Sequence, residues 1–186
     1  MSIKSIILFS QILVSLPIFS QTLTGTWEGV FFSDMSRYER KKFILHMELK
    51  QEGNKLKGVF YTAKFEKPNE PEAIYTISGI LGKKDPLAFF KLMEDNLVEY
   101  TIPYEIANAF NEFACTYTTK DSSEFLYGNW YPNNRNTLRA DGAGGSYQLK
   151  KFAPVIGELY IKYIDNKKKK KKADNVTETD STKQHQ

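Results

Sequence analysis

Residues 41–50 alternate without a break. Phe43, Leu45, Met47 and Leu49 fall on one face of an extended chain, and Lys42, Ile44, His46, Glu48 and Lys50 fall on the other. Successive side chains of a strand point to opposite faces, so this period of two predicts a half-buried antiparallel strand and does not match a helical repeat. Glu52-Gly53-Asn54-Lys55 follows, and because Gly and Asn tolerate positive φ it reads as a tight hairpin connection. Residues 56–64 return, with Val59, Tyr61 and Ala63 opposed to Leu56, Gly58 and Phe60.

The same grammar repeats along the chain. Strands are predicted over 25–32, 41–50, 56–64, 73–81, 87–93, 97–106 (interrupted at Pro103), 109–118, 124–131 and 146–152. Turn formers separate them at 33–37, 67–71, 82–86, 94–96 and 121–123, and a long polar loop runs from 133 to 145. Pro68 and Pro71 cannot both sit inside a ladder. No amphipathic helix long enough for a crossover lies between the strands, so the spacing fits an up-and-down barrel better than a βαβ design. The fold class is therefore all-β: an antiparallel up-and-down barrel of eight or nine strands over residues 21–152. Past Pro154, Val155, Ile156, Leu159, Tyr160, Tyr163 and Ile164 recur at helical spacing, although Leu159, Ile161 and Tyr163 also alternate. A short C-terminal helix over 153–165 is expected, with a strand as the alternative. Residues 166–186 are expected to be a disordered basic tail, since Lys167–Lys172 and the polar residues after them bury too little to fold.

The first strand opens Gly25-Thr26-Trp27, and a second Gly-x-Trp stands at Gly128-Asn129-Trp130. Gly25-Thr26-Trp27 resembles the opening motif of the calycin barrels (lipocalins, fatty-acid-binding proteins and avidins), and Leu23-Thr24-Gly25-Thr26-Trp27 is also similar to the avidin opening. The resemblance implies a small closed barrel over about residues 22–152, one end plugged by Trp27 with its indole N–H turned to a carbonyl or water. It implies little about ligand. The Thr-Asp-Tyr signature of lipocalins does not occur, and Trp27 and Trp130 are the only tryptophans, fewer than avidins stack on their ligand.

Residues 1–20 read as a removable signal peptide: Lys4 near the start, an almost wholly apolar run from Ile6 to Phe19, and Ser20 at the cut. The run is short for a membrane span and broken by Pro17; a retained anchor is the alternative. Export, periplasmic or extracellular, is the expected localisation. The single Cys115 can form no internal disulfide, so the fold rests on packing, and its alternating surroundings predict a buried, inert thiol. Of the net charge of +4, Lys4 carries one and the stretch from Asp165 onward three, which leaves residues 21–164 neutral. A neutral body argues against a nucleic-acid-binding core.

Candidate chemistry is sparse. Asp141-Gly-Ala-Gly-Gly145 precedes a predicted strand rather than a helix, so it reads as a turn and not a phosphate cradle. His46 has no second His or Cys at ligand spacing, so no metal site is predicted. Glu94 and Asp95 read as turn carboxylates, and no nucleophile elbow or catalytic set appears. An enzyme would need Arg37, Tyr38, Glu39 and His46 to converge on one mouth. No catalytic residue and no cofactor is expected. Aromatic residues make up 14% of the chain, and Tyr104, Tyr117, Tyr127, Trp130 and Tyr131 fall late in sequence. With Trp27 they form the candidate ligand-binding set, for a small apolar molecule in the barrel interior; core filling is the competing explanation. Lys167, Lys168, Lys169, Lys170, Lys171 and Lys172 are the candidate contact to an anionic envelope surface, with a merely solubilising tail as the alternative. Two functions follow as expectations: a non-catalytic small-ligand binder, or an envelope interaction protein with a solid core.

Overall fold

A computed structural model describes residues 22–33, 41–83, 87–107, 111–132 and 144–166. Eight antiparallel strands close on themselves in sequence order: β1 (Gly25–Ser33), β2 (Lys41–Glu52), β3 (Lys55–Lys64), β4 (Pro71–Ile80), β5 (Phe90–Tyr100), β6 (Asn111–Lys120), β7 (Ser123–Pro132) and β8 (Gly145–Ala153). β8 pairs back onto β1, so the ring has no free edge to template aggregation. The architecture is the up-and-down barrel that the alternation predicts.

Inside and outside follow from parity. Trp27 pairs with Met47, Met47 with Phe60 and Phe60 with Tyr75, which puts all four on the inner wall. Leu45, Leu49, Leu56, Ile77, Leu92, Phe113, Leu126 and Leu149 join them in one buried core. The ends differ. At the lower end Trp27 is fully buried and its Nε1–H donates to Leu23 O at 3.1 Å, the plug that the opening motif implies. Lys151 caps it, with Nζ 5.1 Å from the indole centroid and donating to Thr22 O and Glu124 Oε2 at 2.8 Å each.

The expected strands 87–93 and 97–106 are one strand, β5, followed by a short helix α1 (Tyr104–Ala107). Glu94-Asp95-Asn96 is not a turn. Ile77 pairs with Glu94 and Thr76 with Asn96, while Tyr75 pairs with Leu97 and Ile74 with Glu99, so Asp95 and Val98 are each absorbed as bulges. The polar side chains are spent on β4: Ser78 Oγ donates to Asp95 Oδ1 at 2.8 Å, and Asn96 Nδ2 to Thr76 Oγ1 at 3.4 Å. β5 pairs with β6 only from Phe90↔Cys115 to Met93↔Glu112, which makes this the shortest seam in the ring.

The C-terminal segment is helical but shorter than its spacing suggests, an α-turn α2 (Glu158–Tyr160) running into a π-helical turn, Ile161–Asp165. Among the described residues no helix is long and apolar enough to cross a membrane. Tyr163 packs on the outer wall against Val59 and Ile74, with Tyr61, Val98, Leu159 and Ile164 around them. A buried outward carboxylate, Glu48, anchors the segment: its Oε2 accepts the Tyr160 N–H at 2.7 Å, an N-terminal donor with no partner in its own helix. Gly157 lies against it, and a Cβ there would overlap the Glu48 carboxylate, which would have to move. His46 lies next along the wall, bonded to Glu28 Oε1 at 2.9 Å and Glu48 Oε1 at 3.2 Å and stacked on Tyr61. Residues 1–20 and 167–186, the expected signal peptide and most of the tail, lie outside the described residues.

Candidate ligand site at the barrel mouth

The upper end, opposite Trp27, is where β1, β3, β5 and β7 finish and β2, β4, β6 and β8 begin. Inward parity carries Phe31 and Ser33 to the end of β1, Phe43 to the start of β2, Phe60 and Thr62 along β3, and Asn111 and Phe113 to the start of β6. Together with Tyr75, Glu72, Glu94, Ile102 and Trp130 they line a partly open cavity of about 90 Å³. Two stacked pairs frame it, Phe31 on Trp130 and Phe60 on Tyr75, each with ring centroids 4.9 Å apart, and Phe113 stands edge-on to Phe60 at 5.2 Å.

The polar atoms here are specific. Trp130 Nε1–H donates to Phe32 O at 2.8 Å across Gly145, where a Cβ would meet both the indole nitrogen and the Phe32 carbonyl. Tyr75 O–H donates to Ala107 O at 2.8 Å, tying the end of α1 to the inner wall. Glu94 accepts Asn111 N–H at 2.8 Å and Asn111 Nδ2–H at 2.7 Å, a side-chain bridge that continues the β5–β6 pairing where the backbone ladder stops. Glu72 stands 3.7 Å from Lys64 Nζ. Ser33 Oγ and Asn111 Oδ1 are buried and have no hydrogen-bond partner among the described residues. Buried polar atoms without partners are uncommon in native proteins.

The six aromatics singled out in the sequence do not gather around one cavity. Trp130 alone lines the mouth. Trp27 is the plug at the other end, and Tyr117 meets it edge-on at 6.4 Å, its O–H donating to Glu124 Oε2 at 3.1 Å. Burial first, and then Glu124, push the Tyr117 phenol up to about 12. Tyr127 and Tyr131 are exposed on the outer wall, because their odd positions oppose the inward Leu126, Gly128 and Trp130. Tyr104 is exposed on α1, tilted against Tyr100. Proximity in sequence was misleading for the reason that makes strands legible: neighbouring residues point to opposite sides.

Tyr127 instead borders an open groove of about 670 Å³ on the outside of β6, β7 and β8, with Phe32, Phe89, Phe125 and Gln148. Larger and somewhat more open, it holds neither Ser33 Oγ nor Asn111 Oδ1, so the mouth is the stronger site. Lys167–Lys172 and Arg37, Tyr38 and Glu39 lie outside the described residues, as does Asp141-Gly-Ala of the glycine-rich loop. His46 projects from the outer wall, away from the mouth. Cys115 is buried, its thiol pushed up to about 12 chiefly by burial. No group of three or more His, Cys, Asp or Glu among the described residues could hold a metal ion.

Sequence reasoning missed Glu94, Ser33 and Asn111. Two carried a signal: Glu94 follows Phe90 and Leu92 in inward parity, and Ser33 follows Trp27, Gly29 and Phe31. The class that fold and site define is a closed eight-stranded antiparallel barrel, plugged at one end and hollowed at the other. Its architecture agrees with the calycin-like resemblance of the opening motif. No family model and no curated protein matches the chain.

Proposed function

We propose that this is a non-catalytic binding protein that takes a small ligand at the barrel mouth rather than along the barrel axis. One observation carries the reading: an aromatic-walled cavity holding the unpartnered Ser33 Oγ and Asn111 Oδ1. Aromatic walls with a few convergent polar groups are the ordinary chemistry of a small-molecule site. The scale is small, since an apolar cavity of about 150 Å³ admits benzene whereas drug-sized sites run to about 300–1,000 Å³. A long acyl chain has no room, because Leu45, Met47, Leu92, Leu126 and Leu149 fill the axis below. Export through residues 1–20 belongs to the same proposal, resting on the Lys4 start and the apolar run that follows.

The test is a fragment screen on the isotopically labelled protein. Compounds no larger than benzene should move the amide signals of Ser33 and Asn111 and the Trp130 indole signal, while a sixteen-carbon acyl fluorophore is not taken up. If no fragment moves those signals, the mouth is not a binding site. A second reading, an envelope interaction protein with a solid core, draws on the filled axis and the open groove near Tyr127. Deleting residues 166–186 separates the two: loss of binding to anionic vesicles with unchanged fragment binding would assign the lysine run its own partner.

A further inference from the structure

We infer that docking of the C-terminal segment is coupled to a proton on His46: the segment is held closed on the barrel wall while the ring is an imidazolium, and is loosened when the ring is neutral. Glu48 joins the two. Its side chain points outward from β2, yet it is 3% exposed because α2 lies over it. One oxygen, Oε2, accepts the Tyr160 N–H at 2.7 Å, and the other, Oε1, stands 3.2 Å from His46 Nε2. Nδ1 of the same ring stands 2.9 Å from Glu28 Oε1. Both ring nitrogens therefore face carboxylate oxygens, and only an imidazolium donates from both.

The surroundings offer no substitute for that charge. Among the described residues His46 is the only ion-pair partner of Glu48. On β2 Lys50 directs its Nζ to Glu52 at 2.8 Å, and in the C-terminal segment Lys162 directs its Nζ to Glu99 at 3.1 Å. β1 contributes Glu28, with Lys150 of β8 opposite it in register. β3 contributes Tyr61, stacked on His46 with centroids 4.9 Å apart, its phenol pushed up by burial and then by Glu28 and Glu48. Glu158 is exposed at the start of α2, and Tyr160, Tyr163 and Asp165 complete the titratable groups of the segment. A neutral ring donates from one nitrogen only, so its other lone pair meets a carboxylate. Glu28, 46% exposed, can turn to water. Glu48 cannot while the segment covers it, and a buried carboxylate that has lost its counter-charge is costly. Lifting the segment lets water reach it. Thr26 Oγ1–H donates to Val155 O at 3.0 Å, so the part that lifts lies beyond Val155 and bares the wall of Val59 and Ile74. Proton binding and docking thus favour each other, and docking weakens as pH rises through the His46 pKa. Burial lowers that pKa, but the hydrogen bonds and charges of Glu48 and Glu28 carry it above 6.5.

The experiment uses the full chain. Titrating the His46 ring signals against pH locates its pKa, and exchange of the Tyr160 amide, corrected at each pH for the intrinsic rate of an unfolded amide, reports docking. Protection of Tyr160 should fall at least about fivefold as pH rises through the His46 value, while β1 and β8 keep theirs. His46→Gln, which offers a neutral donor at every pH, should remove that step. Linkage is reciprocal, so opening the segment should lower the proton affinity of His46 by the same factor. Tyr163→Ala opens it without touching Glu48, by removing the side chain packed on Val59 and Ile74, and faster Tyr160 exchange verifies the opening. Tyr160 protection that stays level across the His46 titration of the unmodified protein overturns the inference. So does a step that survives in His46→Gln, or a His46 pKa that does not fall once the segment is open.

Discussion

Trp27 and Trp130 show how the same residue type serves opposite ends of one barrel. Trp27 is enclosed by its own upstream segment, whose Leu23 carbonyl takes its N–H, so removing the ring leaves a void that nothing nearby can fill. Trp27→Ala should therefore cost about 3–5 kcal/mol in urea unfolding, and a loss below about 1 kcal/mol would show that the lower end is closed by other groups. His46 illustrates a different residue-scale effect. Burial lowers its affinity for a proton, but the hydrogen bonds and charges of Glu48 and Glu28 outweigh that, and its pKa rises above the ordinary 6.5. The folded state then binds the proton more tightly than the unfolded chain does. Its contribution is complete below about 6.5 and fades as pH rises through the raised folded value. His46→Gln should accordingly flatten the fall in stability above that point, which denaturation across the range would measure. Cys115, with its thiol pushed up to about 12, should resist iodoacetamide in the native protein and react once it is unfolded.

Among the elements, the C-terminal segment depends on one carboxylate and β5 on two bulges. Glu48 lies on the outer wall of β2, among residues that alternation would leave wet, and it is dry because α2 and the π-turn cover it. Gly157→Ala would drive a methyl group into that carboxylate and displace the segment. The Tyr160 amide should then exchange with solvent at least about tenfold faster while β1 and β8 keep their protection, because local opening involves only the docked element. Unchanged Tyr160 protection would mean that the packing of Tyr163 on Val59 and Ile74 holds the segment without Glu48. In β5 the bulged Asp95 and Val98 let a run of turn-forming residues stay in the ladder, while Glu94 keeps the inward parity of Phe90 and Leu92 and reaches Asn111.

The whole molecule is a ring, and each strand is held by both neighbours. Plug and mouth share one continuous core from Trp27 to Trp130. The barrel should unfold as a unit, with the fluorescence of Trp27→Phe and Trp130→Phe proteins, which report the two ends separately, and far-ultraviolet circular dichroism following one transition for each protein. A mouth that melts ahead of the plug would show that the short β5–β6 seam divides the ring.

Alternation, hairpin turns and the Gly-Thr-Trp opening were enough to determine an antiparallel barrel, its inward face and its tryptophan plug. Each of those follows from local geometry, where a side chain's direction is set by its place in a strand. The site was less legible. Glu94 looked like part of a turn because Glu-Asp-Asn favours turns, and only the pairing with β4 shows that bulges absorb the extra residues. Ser33 and Asn111 lie on strands adjacent to neither each other nor a shared turn, and only the closing of the ring brings them to one cavity. Local chemistry decided which way each residue points; the closed ring decided which residues meet, because that depends on registers summed around the whole barrel.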